Sequence, residues 1–397
     1  MSRRRVGLLA AGAAGLAGAA ALAARPVGRR LVARAEARHN PLHRPAPPAP
    51  SAEAAALHAT LTVADLHADT LLWGRDLFER GTQGHSDVPR MIEGNVALQV
   101  LAVTTKSPRN LDLERNDDRT DDVTLLAMAS GWPVATWTSL RERALHQARR
   151  AQAFADRSDG LLRIVRTAPE LDRFLAERAG DGSLCGVVLA IEGAQCLEGD
   201  PANVDVLADA GYRMISPAHF FDTEMGGSAH GMVKGGLTEA GRQYVRRCEA
   251  RGVLVDIAHA SPATITDILA MAERPVLASH TGLRRTCDNT RNLTDEHALG
   301  VARTGGVLGI GFWDTVCGGQ QIGHVARAIA DAVELVGADH VALGSDWDGG
   351  VGVPFDASET ASLTQALLDV GLDEAAIRAV MGGNVVRLFR EVFPAGA

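Results

Sequence analysis

Lysine is almost missing from this sequence of 397 residues. Only Lys106 and Lys234 occur, so arginine supplies nearly all of the positive charge. Residues 1–44 contain nine arginines and one glutamate, a net charge of +8, and the whole chain has a formal charge of −8, which leaves −16 for the remainder. A body this acidic argues against nucleic acid as a partner, because the binding of phosphates needs a basic face.

Paired cysteines are missing as well. The five cysteines include no C-x-x-C pair, which argues against a zinc knuckle or a dithiol redox site, and such an odd, sparse set is not typical of a disulfide framework. The sequence also has no G-x-S-x-G serine motif and no G-x-x-x-x-G-K phosphate-binding loop. Its chemistry must therefore come from other residues.

The first 24 residues are predicted to be a signal peptide or an N-terminal anchor. Arg3–Arg5 precede the uncharged run Val6–Ala24, whose small residues suit cleavage, and the Ser-Arg-Arg start resembles a twin-arginine export signal. We expect an exported protein, either periplasmic or anchored to a membrane through this segment and facing outside the cytoplasm. A disordered cytoplasmic leader is the alternative. Residues 25–50 are predicted to be an Arg/Pro-rich linker, and residues 51–397 the folded domain.

Eight short apolar segments have the composition of buried strands, and most are separated by segments with helical periodicity. The predicted strands are Leu61–Asp65, Val96–Thr104, Gly186–Ile191, Arg213–Ser216, Gly252–Ile257, Pro275–Ala278, Gly305–Ile310 and His340–Gly344. The predicted helices are Leu140–Asp156, Ala168–Arg178, Glu239–Arg251, Ala263–Arg274, Asp295–Arg303, Gln321–Val336 and Glu374–Val392. This alternation predicts an α/β fold, a (β/α)8 TIM-type barrel, in which Lys106–Leu184 forms a helical insertion.

Histidines and carboxylates follow these predicted strands, which is where such a barrel builds its active site. They are His67, Asp69, Glu192, His259, His280 and Asp346. Each residue alone has a simpler interpretation, such as a buried histidine bonded to backbone or a carboxylate that caps a helix. Together they predict a metal centre, because residues two apart on a strand point the same way and imidazole suits zinc.

The predicted centre has two pairs of ligands, His67 with Asp69 and His259 with His280, and Glu192 is able to bridge them. Two zinc ions about 3.5–4 Å apart can share a hydroxide, which favours a hydrolase over an oxidoreductase. Asp346 is interpreted as a proton shuttle after the last strand. Asp348 is equally able to take that role on the sequence alone.

The chain resembles the membrane (renal) dipeptidases, zinc-dependent members of the amidohydrolase superfamily, from about Leu61 to Phe393. The resemblance depends on the order and spacing of short motifs rather than on any one of them. They are Asp65-Leu66-His67-Ala68-Asp69, Ser86-Asp87-Val88-Pro89-Arg90, Ile191-Glu192-Gly193, Asp256-Ile257-Ala258-His259, Ser279-His280, Thr290-Arg291-Asn292, Gly344-Ser345-Asp346-Trp347-Asp348-Gly349 and Gly383-Asn384.

The resemblance implies specific roles. His67 and Asp69 would bind one zinc, His259 and His280 the other, and Glu192 would bridge the two. His219 would polarise the scissile carbonyl, Arg291 would bind the free carboxylate of the substrate, and Asp346 would act as the acid and base. The residues alone do not rank His219 above His230, or Arg291 above Arg284 and Arg285.

Two segments depart from the family pattern. Gly193-Ala194-Gln195 stands where many relatives have Gly-Gly-His, and the glycine-rich segment Phe220–Gly236 is unlike its counterpart in relatives. Because Phe220–Gly236 directly follows His219, we expect it to shape the substrate pocket. These departures bear on substrate preference rather than on the chemistry.

We therefore expect a zinc dipeptidase that cleaves small dipeptides, and the resemblance implies tolerance of a D-residue at the carboxyl side. An alternative is a binuclear amidohydrolase acting on N-acyl amino acids, lactones or phosphotriesters. Phosphotriesterase-like relatives often bridge their metals with a carbamylated lysine, whereas Glu192 stands at that position here. The third hypothesis is a binding or scaffolding protein without activity. The presence of all the proposed metal ligands argues against it. By analogy with similar barrels we expect a homodimer.

Overall fold

The computed structural model of the protein describes residues 26–43 and 45–396, so the predicted export segment over residues 1–24 lies outside the described residues. These described residues contain nine strands: β1 Val63–Ala68, β2 Val96–Thr104, β3 Leu162–Ile164, β4 Cys185–Glu192, β5 Tyr212–Ile215, β6 Leu254–Val255, β7 Ala278–Thr281, β8 Leu308–Ile310 and β9 Val341–Leu343. Among the described helices, none is long and apolar enough to cross a membrane.

Helices connect or precede most of these strands. They are α1 26–39, α2 Ala52–His58, α3 Val88–Glu93, α4 Asp122–Ala129, α5 Leu140–Asp156, α6 Ala168–Arg178, α7 Asn203–Asp209, α8 Glu239–Ala250, α9 Pro262–Met271, α10 Asp295–Arg303, α11 Asp314–Cys317, α12 Ile322–Val336, α13 Thr360–Asp369, α14 Glu374–Arg378 and α15 Asn384–Val392. Side chains cap several of them as their sequences predict. Ser261, for example, accepts a hydrogen bond from the backbone N–H of Thr264 at the start of α9, where Pro262 takes the first position.

The strands form one parallel sheet in the order β6-β5-β4-β2-β1-β9-β8-β7, and β3 pairs with β4 outside this path. The two ends of the path meet, because Asp256, just after β6, forms a parallel bridge with Leu277, just before β7. The backbone N–H of Ile257 also donates to the carbonyl oxygen of Leu277 over 2.8 Å. The fold is therefore the predicted TIM-type barrel with a helical insertion, which here contains α4, α5, α6 and β3.

Two large hydrophobic clusters contain most of the apolar side chains of the strands. One has residues in or beside all eight strands of the barrel, such as Leu66, Val100 and Met214, together with residues of α6 and α15. The other packs further residues of the strands against surrounding helices, among them α8, α9, α10 and α12. Alternation of apolar residues along each strand supplies both layers.

The C-terminal helix differs from its prediction. Glu374–Val392 was expected as one helix, but α14 ends at Arg378 and α15 begins at Asn384, with Gly382 outside helical geometry between them. Gly382 packs against the backbone before β1, where a Cβ atom would lie 1.9 Å from the carbonyl oxygen of Thr62. The helix breaks at this close approach, which periodicity alone does not reveal.

Residues 26–43, called the N-terminal segment below, pack on the body of the protein. They contain α1, which was not predicted within the Arg/Pro-rich segment, and a short parallel bridge between Leu42 and Val353. Glu36 is 1% exposed although most of α1 is exposed to solvent. The segment thus contributes a buried carboxylate to the folded domain.

Candidate metal centre

The predicted site residues all lie at one end of the barrel. His67 is near the end of β1, Glu192 is the last residue of β4, and His280 lies within β7. His219, His259 and Asp346 follow β5, β6 and β9 within a few residues, and Asp69 directly follows β1. Since parallel strands end on one face of the barrel, their side chains meet there.

Glu192 lies at the centre of this group. Its Oε1 is 3.2 Å from the Nε2 atoms of both His259 and His280, and 3.6 Å from Nε2 of His67. Its other oxygen, Oε2, is 3.4 Å from Nε2 of His219. One carboxylate therefore faces four imidazoles, and its role as a bridge between two ions stays a prediction.

The donor atoms suit a divalent metal ion. Three overlapping groups have donor atoms within 4.8 Å of one another, and Glu192 and His67 each belong to two of them; the groups are His67–Glu192–His280, Glu192–His219–His259 and His67–Asp69–Asp346. Nε2 of His67 is buried without a hydrogen-bond partner among the described residues. Buried polar atoms are normally satisfied, so a converging set of nitrogen and carboxylate donors with an orphaned nitrogen fits a metal centre.

Neighbouring side chains hold these donors in place. The Thr104 hydroxyl donates to Oε2 of Glu192 over 2.6 Å and lies 3.3 Å from Oδ1 of Asp69. Oγ of Ser279 is 2.8 Å from Nδ1 of His280, which leaves Nε2 of that imidazole to face the centre. Such partners orient metal ligands. Thr104 ends β2 and was missed from the sequence, although its place at a strand end was a usable signal.

Asp256 is not among the predicted metal ligands, and its hydrogen bonds explain its burial. Its Oδ1 accepts from the backbone N–H groups of Ala258, at 3.0 Å, and Ser279, at 2.9 Å. The bond from Ser279 ties the end of β6 to β7, and the two donors, Ala258 and Ser279, directly precede His259 and His280 in the chain. Asp256 therefore supports the backbone that carries two of the donors.

The structure separates the candidates that the sequence left equal. His219 lies beside Glu192, whereas Nδ1 of His230 is 2.6 Å from the carbonyl oxygen of Leu113. Arg291 is 5% exposed, donates to the carbonyl oxygen of His280 over 2.5 Å, and has its guanidinium 5.5 Å from the ring centre of Trp313.

Of the other two arginines, neither lies against the metal donors. Arg285 pairs with Asp295 at 3.1 Å, and Arg284 donates to the backbone of Asn292. Arg291 is thus the arginine that the fold brings to the centre, next to the backbone of a metal-ligand candidate.

Asp346 and Asp348 also take different environments. Oδ1 of Asp346 is 3.8 Å from Nε2 of His67, so this carboxylate faces the metal centre. Asp348 faces away and accepts hydrogen bonds from Arg75, Thr70 and the backbone N–H of His85. Only Asp346 of the two is free to act on a molecule bound at the centre.

The backbone at these residues is strained. His259, Asp346 and Asp348 have φ values of 62°, 60° and 64°, in the left-handed region that costs energy for residues with a side chain. Strain of this kind persists only where surrounding contacts impose it, and it is common at active sites. It therefore agrees with a functional role for the loops after β6 and β9.

Electrostatics prepare the donors for a cation. Burial lowers the pKa values of His259 and His280 well below the usual range, so both imidazoles are neutral and able to bind a metal. Burial alone would raise the pKa of Glu192, but His219 and His67 hold the pKa of its carboxyl well below its usual range. Burial raises the pKa of Asp346 well above its usual range, which suits a group that carries a proton.

The glycine-rich segment Phe220–Gly236 forms one side of the site. Asp222 organises it by accepting backbone hydrogen bonds from Ser228, at 2.9 Å, and Val233, at 2.7 Å. The ring of His230 packs 5.0 Å from Phe220 and 5.1 Å from His259. The segment thus reaches the metal donors, and its part in shaping the substrate pocket stays a prediction.

Comparison with known proteins identifies the family. The model of the membrane dipeptidase family, peptidase family M19, matches residues 51–395. The chain is 24% identical to dipeptidase tcpJ of Claviceps purpurea over 321 residues, which cover 78% of this chain and 69% of that protein.

Two solved structures share the fold. The M19 metallopeptidase dipeptidase AC has a TM-score of 0.70 at 23% identity and covers 85% of this chain and 100% of its own. A metallopeptidase of Rhodobacter sphaeroides, solved with a phosphinate mimic of the dipeptide L-Ala-D-Ala, has a TM-score of 0.68 at 23% identity. The match covers 84% of this chain and 99% of the R. sphaeroides chain. The chain belongs to the membrane dipeptidase family, peptidase family M19, and is a metal-dependent dipeptidase.

Proposed function

We propose that the protein holds two zinc ions and hydrolyses dipeptides that carry a free carboxylate, including those with a D-residue at the carboxyl side. The observation that carries the proposal is the position of Glu192, whose Oε1 lies within 3.6 Å of three imidazole nitrogens. His67 and Asp69 would hold one ion, and His259 and His280 the other. Mixed nitrogen and carboxylate donors of this kind suit zinc.

When bound, the metal pair acts as a Lewis acid and acidifies water toward a pKa of ~7. The chain supplies the remaining steps. Asp346, whose Oδ1 lies 3.8 Å from Nε2 of His67, accepts the proton of the attacking water and passes it to the amine that leaves. His219, 3.4 Å from Glu192, donates a hydrogen bond to the carbonyl oxygen as negative charge develops there.

Arg291 selects the substrate. Its buried guanidinium can bind a carboxylate through two parallel hydrogen bonds, which favours substrates whose chain ends one residue after the scissile bond. N-acyl amino acids also present a carboxylate, but the family to which the chain belongs does not favour that alternative. We include substrates with a D-residue at the carboxyl side because the R. sphaeroides metallopeptidase was solved with a mimic of L-Ala-D-Ala.

The test compares hydrolysis of Gly-D-Ala, Gly-L-Ala and the C-terminal amides of both by zinc-loaded full-length protein. We expect cleavage of the free acids and at least about a hundredfold lower kcat/KM for the amides, which lose a charge-assisted bidentate contact. Arg291→Lys should lower kcat/KM for the free acids and leave the amides unchanged. Equal cleavage of acids and amides would contradict the role of Arg291, and no cleavage of any would contradict the proposed substrate class.

We also propose export through residues 1–24 and association into a homodimer. The arginine-rich start and small-residue run support export, and analogy with similar barrels supports the dimer. Fractionation of cells that produce the full chain tests the location, and N-terminal sequencing shows whether the segment is cleaved. Light scattering of the purified protein measures the mass against 41.7 kDa for one chain.

A further inference from the structure

We propose that Glu36 is a positioning residue for Asp346, acting through Arg75 and Asp348. The N-terminal segment would then belong to the active-site apparatus, although it precedes the residues that the family model matches. The inference rests on the proposed function, in which Asp346 moves the proton. It assigns a catalytic consequence to a segment whose composition indicated only a linker.

Helix α1 turns one face toward the body. Its buried positions are residues 28, 32 and 36, and residue 40 follows at the same spacing of four. Residues four apart lie in a row on a helix. The row ends in Glu36 and Asn40, which are 1% and 4% exposed. Burying a carboxylate is costly unless a partner compensates it, so the position of Glu36 needs an explanation.

Arg75 is that partner. Its Nε donates to Oε1 of Glu36, and Gln83 donates to Oε2 over 3.1 Å. The other end of the same guanidinium donates from Nη2 to Oδ2 of Asp348 over 2.6 Å, and Nη1 donates to the carbonyl oxygen of Ser86 over 3.0 Å. A planar guanidinium connects its partners rigidly, so Glu36 and Asp348 are fixed relative to each other.

Asp348 fixes the loop that carries Asp346. Besides the bond from Arg75, its carboxylate accepts from Thr70 over 2.8 Å and from the backbone N–H of His85 over 2.6 Å. Its own carbonyl oxygen accepts from the indole of Trp73 over 2.7 Å. The left-handed φ values at residues 346 and 348 are sustained by contacts of this kind.

Two further contacts tie the N-terminal segment to the same loop. Oδ1 of Asn40 accepts from the backbone N–H of Gly350 over 2.8 Å. Val353 donates its N–H to the carbonyl oxygen of Pro41 over 3.2 Å and accepts from the N–H of His43 over 2.8 Å. Residues 346–353, called the catalytic loop below, are therefore held by the N-terminal segment at Asp348, Gly350 and Val353.

This arrangement predicts that a change behind the site alters the chemical step. Glu36→Gln keeps the size of the side chain and removes the charge that faces Arg75. A small displacement of a reacting group can cost up to about a hundredfold in rate, so we expect kcat for Gly-D-Ala to fall about tenfold. The KM and the zinc content should change less than kcat, because the side chains of Arg291 and of the proposed metal ligands bond to other groups than Glu36, Arg75 and Asp348. Asp69 touches the catalytic loop through its backbone N–H, which donates to the carbonyl oxygen of Trp347 over 2.8 Å.

The experiment uses full-length, zinc-loaded protein and measures kcat, KM, bound zinc and backbone hydrogen exchange in the catalytic loop. Asn40→Ala breaks a second contact independently and should also lower kcat and speed exchange in the catalytic loop. It keeps the test decisive where Glu36→Gln does not fold. The exposed Arg38→Ala on the same helix is the matched control and should match the wild type.

A variant that melts earlier but keeps the wild-type kcat and loop exchange overturns the inference, since Glu36 would then serve stability alone. A fall in kcat that comes with a similar loss of bound zinc and a similar rise in KM would overturn it too, because that pattern indicates general distortion of the site. Both outcomes require a wild type that cleaves the dipeptide. Failure of the wild type to do so would instead contradict the proposed function.

Discussion

The hydroxyl of Thr104 donates a hydrogen bond of 2.6 Å to Glu192. The same oxygen lies 3.3 Å from Asp69, so one threonine at the end of β2 contacts two of the carboxylates in the candidate metal centre. Both carboxylates are buried, Asp69 with 3% and Glu192 with 5% of its surface exposed. Thr104 therefore orients the carboxylates of both Glu192 and Asp69.

Replacement of Thr104 by valine should weaken metal binding. The change keeps the shape of the side chain but removes the donor, and loss of such an orienting partner typically costs about 10–100-fold in metal affinity. Competition with a chromogenic chelator measures the metal affinity of each variant. Thr105→Val is the matched control, because the Thr105 hydroxyl is buried with no partner among the described residues. Equal affinities in the two variants would contradict the role of Thr104.

Asp346→Asn should retain the bound metal and lose turnover. The amide occupies the same space but cannot accept a proton, and general acid–base catalysis contributes about 10²–10⁴-fold to rate. Steady-state kinetics with Gly-D-Ala and metal analysis of the same sample measure both properties. Normal turnover in this variant would move the proton transfer to another group. The hydrogen bonds of Asp348 to Arg75 and Thr70 make that residue a poor substitute.

His230 should contribute to the acid sensitivity of the metal-free protein. Burial lowers its pKa to about 3, although the contact with Leu113 opposes the shift. An unfolded histidine has a pKa near 6.5, so between pH 6.5 and pH 3 the unfolded chain binds more protons and stability falls as the pH falls. The slope for one such group is at most about 1.4 kcal/mol per pH unit.

The measurement compares free energies of unfolding of wild type and His230→Asn between pH 7 and pH 5, approximate limits chosen around the unfolded pKa. Asparagine can still donate to the carbonyl oxygen of Leu113 but does not titrate, so the variant should lose stability less steeply as the pH falls. His39→Asn changes an exposed histidine and should follow the wild-type slope. Parallel curves for all three proteins would refute the assignment.

Gly382→Ala should destabilise the barrel. The new Cβ atom would meet the carbonyl oxygen of Thr62 at 1.9 Å, so either α15 or the start of β1 must shift, at a cost of about 1–3 kcal/mol. Gly323→Ala, in helix α12, meets nothing within 4 Å and should stabilise by about 0.5–1 kcal/mol. Urea denaturation measures both, and a neutral Gly382→Ala would show that the close approach is not needed.

The barrel was predictable because each strand carries a strong local pattern. Predicted Val96–Thr104 has the bounds of β2, and the helices Leu140–Asp156 and Asp295–Arg303 have the bounds of α5 and α10. The convergence of the donor residues could also be predicted from the sequence, since residues after parallel strands must share one end of the barrel. Predicted bounds were less accurate for β7, which begins at Ala278, the last residue of the predicted strand.

What the sequence did not reveal depends on contacts between distant polar residues. The pair Glu36–Arg75 spans 39 positions, and Arg75–Asp348 spans 273, with no periodic signal at any of the three. Strand β3 has three residues, too few for alternation to distinguish it from a loop. The difference between Asp346 and Asp348 likewise arises from φ values that no composition rule predicts.

The closure of the barrel has a mechanical consequence. The junction between β6 and β7 consists of the bridge between Asp256 and Leu277, two backbone hydrogen bonds of Leu277, and the bond from the backbone N–H of Ser279 to Asp256. His259 and His280 stand on opposite sides of it with their Nε2 atoms 3.0 Å apart. An ion held by both imidazoles would add a further link across this junction, so that metal binding should stabilise the closed barrel as well as supply the chemistry.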